Sequence, residues 1–140
     1  MTEQFDRNWR NLAWSALRIA AGLDYFSHGA QKLLGWFGGI GPTGGHAELM
    51  TRFGAAGTIE TIGGALLILG LFTRPVAFIT SGEMAVTYFW MHWGGSGKPF
   101  WWQNFGELPL LFCFIWFLFA AWGPGPFSLD AKLRKQMPPA

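Results

Sequence analysis

Residues 54–72 hold a single ionisable side chain, Glu60, in a run otherwise made of Gly, Ala, Thr and large apolar residues. About 20 such residues cross a bilayer as a helix. A carboxylate there costs roughly 2.5–3.5 kcal/mol unless it is paired, hydrated or neutral. The same pattern of charge inside an apolar run recurs in residues 11–35 (Arg18, Asp24, His28, Gln31, Lys32), in 75–93 (Glu83, His92) and in 104–122 (Glu107). The chain is therefore expected to be all-α, a four-transmembrane-helix bundle that encloses its charges.

Composition agrees with this expectation. Charged residues make up 13% of the 140, against roughly 25% in soluble domains, too few to cover an aqueous surface. Nine Trp and fourteen Phe suit a bilayer, which supplies apolar solvent and an interfacial belt for indole rings. A net charge of +2 without a long basic run argues against nucleic acid as a partner. Cys113 is the lone cysteine, which excludes an internal disulfide and a CxxC pair.

The first segment lacks the small-residue cleavage pattern of a signal peptide and is expected to stay as a helix. Thr73-Arg74-Pro75 is a turn too short to cross anything, and Pro75 is suited to open the third helix. Four spans put both termini on one side with Arg7, Arg10, Arg74, Lys132, Arg134 and Lys135, while Arg52 and Lys98 fall on the other. The positive-inside rule makes the terminal side cytoplasmic. The organisation expected is a cytoplasmic segment (1–10), one membrane domain (11–130) and a cytoplasmic tail (131–140). The lipid bilayer is the first partner.

At about 1.5 Å of rise per residue, Asp24 and Glu83 fall near the midplane, with Glu60, His28, Glu107, Lys32 and His92 about 5 to 14 Å outward of it. Arg18 alone lies clearly in the inner half. Asp24, His28, Gln31 and Lys32 form one stripe of the first helix, expected to face the interior. Pairing of Lys32 with Glu60 or Glu107, and of Arg18 with Glu83, is expected to satisfy the charges; Asp24 and His28 form a local i, i+4 pair.

His28, Glu60, Tyr88 and Glu107 among Phe and Trp suit a quinone, and equally a sterol-like amphiphile. His28 and His92 stand on different helices and in principle could ligate a haem or metal, but without a supporting pattern that reading is disfavoured and no metal site is assigned. No nucleotide, serine-hydrolase, zinc-protease or dinucleotide signature is present.

Several strings resemble the DoxX family of small bacterial membrane proteins. These are Arg18 followed by His28-Gly29-Ala30-Gln31-Lys32-Leu33; Glu60-Thr61-Ile62-Gly63-Gly64 with Leu69-Gly70-Leu71-Phe72-Thr73-Arg74-Pro75; Asn104-Phe105-Gly106-Glu107; and Gly123-Pro124-Gly125 with Ser128-Leu129-Asp130. The resemblance implies a multi-pass bacterial inner-membrane protein related to subunits of a terminal quinol oxidase and of thiosulfate:quinone oxidoreduction, with links to oxidoreductase complexes and oxidative-stress defence. Glu83 and the Trp-rich stretch 90–103 depart from the family pattern and mark a subfamily-specific ligand.

The site expected is a buried polar network of Arg18, His28, Lys32, Glu60, Glu83, Tyr88, His92, Asn104 and Glu107 for a quinone or similar molecule, in a redox-associated subunit with membrane or soluble oxidoreductase partners. The alternatives are a non-catalytic scaffold or assembly factor and, more weakly, a small-molecule or ion transporter, for which four spans are few unless the chain forms a homo-oligomer.

Overall fold

The computed structural model describes residues 2–136. Among them the regular structure is helical, in line with the all-α expectation, with one isolated bridge between Ile40 and Gly45. The long helices are α1 (Glu3–Leu34), α2 (Arg52–Leu69), α3 (Thr73–Thr87) and α5 (Glu107–Trp122). Two short helices, α4 (Trp101–Asn104) and α6 (Leu129–Gln136), and single helical turns such as Trp36–Gly38 accompany them. The expected tail thus begins in a helix, and its last four residues, like Met1, lie outside the described part.

The boundaries have local causes. α1 starts eight residues before the apolar run because Glu3 and Asp6 occupy its first turn, where carboxylates favour the positive end of the helix. It ends at Gly35, whose φ of 68° permits the left-handed cap. Thr51 opens α2 by accepting the Gly54 N–H at 3.1 Å. α3 begins at Thr73 rather than Pro75 because the Asp130 carboxylate, arriving from α6, accepts the N–H groups of Phe72 (2.8 Å) and Thr73 (2.9 Å).

Past Thr87 the helix continues as a π turn, Tyr88–Trp93, and a last turn, Gly94–Ser96. The span expected over 104–122 is broken at Phe105, which has a φ of 59°. Asn104 therefore closes α4 and Glu107 opens α5. The Asn104 side-chain oxygen accepts the Gly106 N–H at 2.8 Å, and Gly106 lies so close to the Tyr88 ring that a Cβ would come within 2.6 Å of it.

The four long helices alternate in direction and pack as two close pairs, α1 with α2 and α3 with α5. In the first pair Gly29 backs onto the Thr61 backbone and Gly64 onto Phe26, so the helices approach as small residues allow in membrane proteins. In the second, the Ser81 hydroxyl donates to the Cys113 carbonyl at 2.8 Å. Aromatic rings join the pairs: Tyr25 stands 5.5 Å from Phe112 and 5.6 Å from Trp116, and Trp14 packs 4.4 Å from Phe119.

The outer surface is apolar on every long helix, with Leu17, Leu23, Ile62, Phe78, Leu111, Phe114 and Phe117 all turned outward. An apolar exterior on that scale marks a surface meant to be covered. Among the described residues, Arg52–Leu69 is long and apolar enough by itself to cross a membrane, while Glu107–Trp122 is apolar but shorter.

Candidate functional site

Among the described residues the two buried charged ones, Arg18 and Glu60, lie toward opposite ends of the bundle. At one end stands Arg18, 1% exposed. Its Nε donates to the Pro124 carbonyl (3.1 Å), Nη1 to those of Leu67 (2.6 Å) and Ile68 (2.8 Å), and Nη2 to that of Phe127 (2.6 Å). These acceptors belong to the last turn of α2 and to the chain beyond α5. Carbonyls at such places are short of helical partners, that of Leu67 taking the Gly70 N–H at 3.1 Å besides, and a guanidinium fork serves several of them at once. The expected Arg18–Glu83 pair does not form. Glu83 meets Tyr25 instead, seven residues or about 10 Å further along α1.

At the other end lies a cavity of about 250 Å³ walled by all four long helices. Its polar lining is Tyr25, His28 and Lys32 from α1, Glu60 from α2, Thr87 from α3 and His92 from the π turn; Met84, Phe105, Leu108, Pro109 and Phe112 supply the apolar part. Lys32 Nζ donates to Glu60 Oε1 at 2.5 Å. The pair expected from depth is present, with Glu60 rather than Glu107 as the partner. Glu60 is 1% exposed, and its second oxygen, Oε2, is buried with no hydrogen-bond partner. Buried polar atoms are seldom left in that state.

Glu83 borders the neighbouring cavity. Its Oε2 accepts from the Tyr25 hydroxyl (3.0 Å) and its Oε1 from Thr87 Oγ1 (2.9 Å). Tyr88 and Asn104 serve the surrounding loop. Tyr88 donates its hydroxyl to the Pro99 carbonyl at 2.7 Å, and Asn104 Nδ2 donates to that of Lys98 at 2.9 Å. His92 is oriented by its Nδ1, 2.9 Å from the Asn104 carbonyl, so Asn104 supports one wall of the cavity through His92 without lining it itself.

Two expectations change. Glu107 is exposed on the first turn of α5 and lines neither cavity, because the next residues, Leu108 and Pro109, face inward in its place. Asp24 does not face the interior either: its side chain is 54% exposed and lies 3.7 Å from His28 Nε2. Close packing of Gly22 and Gly29 on α2 sets the rotation of α1, and that rotation turns Tyr25 inward and Asp24 out. Tyr25 and Thr87 are the cavity residues that the sequence reading passed over. Tyr25 was accessible by spacing, three residues before His28 and seven before Lys32.

His28 and His92 do line one cavity, but among the described residues no three His, Cys, Asp or Glu side chains come together as a metal-binding group.

The chain's similarity to known proteins follows the same helices. The DoxX family model matches residues 13–93, which include Arg18, His28, Lys32, Glu60 and His92. The Asn104–Glu107 segment and the closing Ser128-Leu129-Asp130 string fall outside that match. A relative from Haemophilus influenzae, an uncharacterized protein, is 42% identical over 125 residues, covering 86% of this chain and 90% of its own length. No solved structure matches. With the family match spanning more than half of a helical chain whose exterior is apolar, the protein belongs to the DoxX family of membrane proteins.

Proposed function

We propose that the chain is a multi-pass protein of the bacterial inner membrane, with α1, α2, α3 and α5 as four spans and both termini cytoplasmic, and that it is a redox-associated subunit whose polar cavity binds a quinone or similar small molecule. The observation that carries this reading is the unused Glu60 Oε2 beside Lys32, in a cavity shared with His28 and His92. A quinone carbonyl accepts hydrogen bonds, and its hydroquinone form donates them. Lys32 and the imidazoles supply donors, Glu60 Oε2 supplies an acceptor, and Tyr25, Phe105 and Phe112 supply ring-sized apolar walls. Sites of this kind combine a mainly apolar lining with a few convergent polar groups.

The test uses purified protein in nanodiscs titrated with ubiquinone, alongside Glu60→Gln. Saturable binding that the substitution weakens at least about tenfold supports the reading; no binding by the native chain rejects it.

A second reading, a non-catalytic scaffold for an oxidoreductase complex, draws on the exposed rings of Trp90, Trp93, Trp101, Trp102 and Phe105 at the cavity end. A stable partner recovered from native membranes, with an unchanged absorption spectrum and no quinone binding, would favour it.

A further inference from the structure

A second cavity, of about 380 Å³, adjoins the polar one and shares Lys32 and Thr87 with it. It is a cleft between α2 and α3. Ala55, Ala56 and Ile59 form one wall, and Ile79, Val86 and Met91 the other. α2 and α3 are joined by a short turn, yet they pack less closely than α1 with α2 or α3 with α5, and the two alanines leave the space open.

Glu83 borders the cleft, but both its oxygens are taken by Tyr25 and Thr87. Each is thus already engaged, unlike Glu60 Oε2, and the α2 and α3 walls of the cleft are otherwise mainly apolar. At one end the Arg52 guanidinium lies over the Trp90 ring, 5.3 Å from its centroid, a cation–π contact. That contact leaves the flank between Ala55, Ile79 and Val86, all exposed, as the open side. It faces outward with the rest of the apolar exterior. From Ile79 to Trp90 the cleft runs roughly 16 Å at about 1.5 Å of rise per residue, room for several carbons of an extended chain.

We infer that the cleft between α2 and α3 holds the hydrocarbon tail of an amphiphile whose polar head lies at Lys32 and Glu60, and that this ligand enters sideways from the bilayer. The inference rests on the polar cavity being a ligand site, and it narrows the ligand to lipid-soluble, long-tailed molecules. Lys32 connects the two halves: its ammonium marks the head position and also borders the tail cleft. Glu60, with its free oxygen, lies on the head side alone.

The experiment compares ubiquinone bearing its polyisoprenoid tail with the same dimethoxy-methyl-benzoquinone head lacking a tail, each titrated into the full-length protein in nanodiscs. Ala55→Trp and Val86→Trp fill the cleft from opposite walls at exposed positions, and Leu111→Trp puts the same ring on the outer face of α5 as a control. Each cleft variant is expected to weaken the tailed quinone by about tenfold or more and to leave the tail-free head unchanged, while Leu111→Trp alters neither. Tailed binding insensitive to both cleft variants, or equal weakening of the two quinones, would overturn the inference and leave the polar site standing. Failure of both quinones to bind the native chain would remove the polar site and this inference with it.

Discussion

Arg18 and Glu60 are both 1% exposed and sit on adjacent helices, yet the two ends of the bundle use buried charge in opposite ways. Arg18 spends three nitrogens on four carbonyls, joining α1, α2 and the chain after α5. Four of its five N–H groups are committed to the fold, and it lines neither the polar cavity nor the cleft beside it. Glu60 spends one oxygen on Lys32 and leaves the other without a partner, next to a cavity. A buried charge whose bonds go almost wholly to backbone carbonyls organises the fold. One with capacity left over, facing empty space, is available for recognition. The family match spans both residues and does not distinguish them; hydrogen-bond accounting does.

The largest expected effect tests the Arg18 end. Arg18→Met should leave the carbonyls of Ile68, Pro124 and Phe127 without their donor and that of Leu67 with the Gly70 N–H alone, at about 1–3 kcal/mol for each buried group not rescued by water. A loss of about 4 kcal/mol or more is expected, read as a large fall in thermal midpoint in detergent or as failure to accumulate in the membrane. Arg18→Lys should recover little, because an ammonium lacks the planar fork that reaches several acceptors. Near-native stability of Arg18→Met would show that the two ends do not differ as described.

Glu60→Gln comes next and should separate stability from binding. The amide oxygen can still accept from Lys32, and Lys32 is partly exposed, with 20% of its side chain accessible. The stability cost is therefore expected to be about 1–2 kcal/mol, because the ion pair is lost while the Lys32 ammonium keeps a charge-assisted bond to the amide oxygen, and quinone affinity falls far more. A variant that unfolds as readily as Arg18→Met would place Glu60 with the structural charges.

The two ends were not equally legible in the sequence. Lys32 and Glu60 could be matched because acids and bases inside apolar runs are few and helical rise gives their depths. The partners of Arg18 could not, because backbone carbonyls leave no mark in a composition and a carboxylate was the natural candidate. Long apolar runs announced α2 and α5. The polar first turns of α1, the π turn at Tyr88–Trp93 and the break at Phe105 depend on capping and tertiary contact, which periodicity does not report. The rotation of α1 about its axis decides between Asp24 and Tyr25 as the inward residue, and it follows from glycine contacts with α2 that only the packed pair reveals.

A smaller effect is expected at Asp130, which has no part in the cavity but belongs to the Arg18 end. Asp130→Ala removes the acceptor for the Phe72 and Thr73 N–H groups. Loss of such a helix cap costs about 0.5–2 kcal/mol. Thermal unfolding should show that decrement while quinone affinity stays at the native value. A change in affinity would mean that the two ends are coupled through α3, and the contrast between them would have to be redrawn as one cooperative unit.

The smallest expected effect falls on Glu107, close to the cavity in sequence and apart from it in space. Its carboxylate is exposed on the first turn of α5, and its interaction with the helix dipole is worth about 0.3–1 kcal/mol. Glu107→Gln should lower stability by no more than that and leave quinone binding intact, while Glu60→Gln weakens it at least about tenfold under the same conditions. The two substitutions are chemically identical and occur at the same end of the bundle, so they differ in burial, in the Lys32 pairing of Glu60 and in access to the cavity. Equal losses of binding would mean that net negative charge near the cavity mouth, rather than the free oxygen inside it, draws the ligand, and Glu107 would then rejoin the site from which its orientation excludes it.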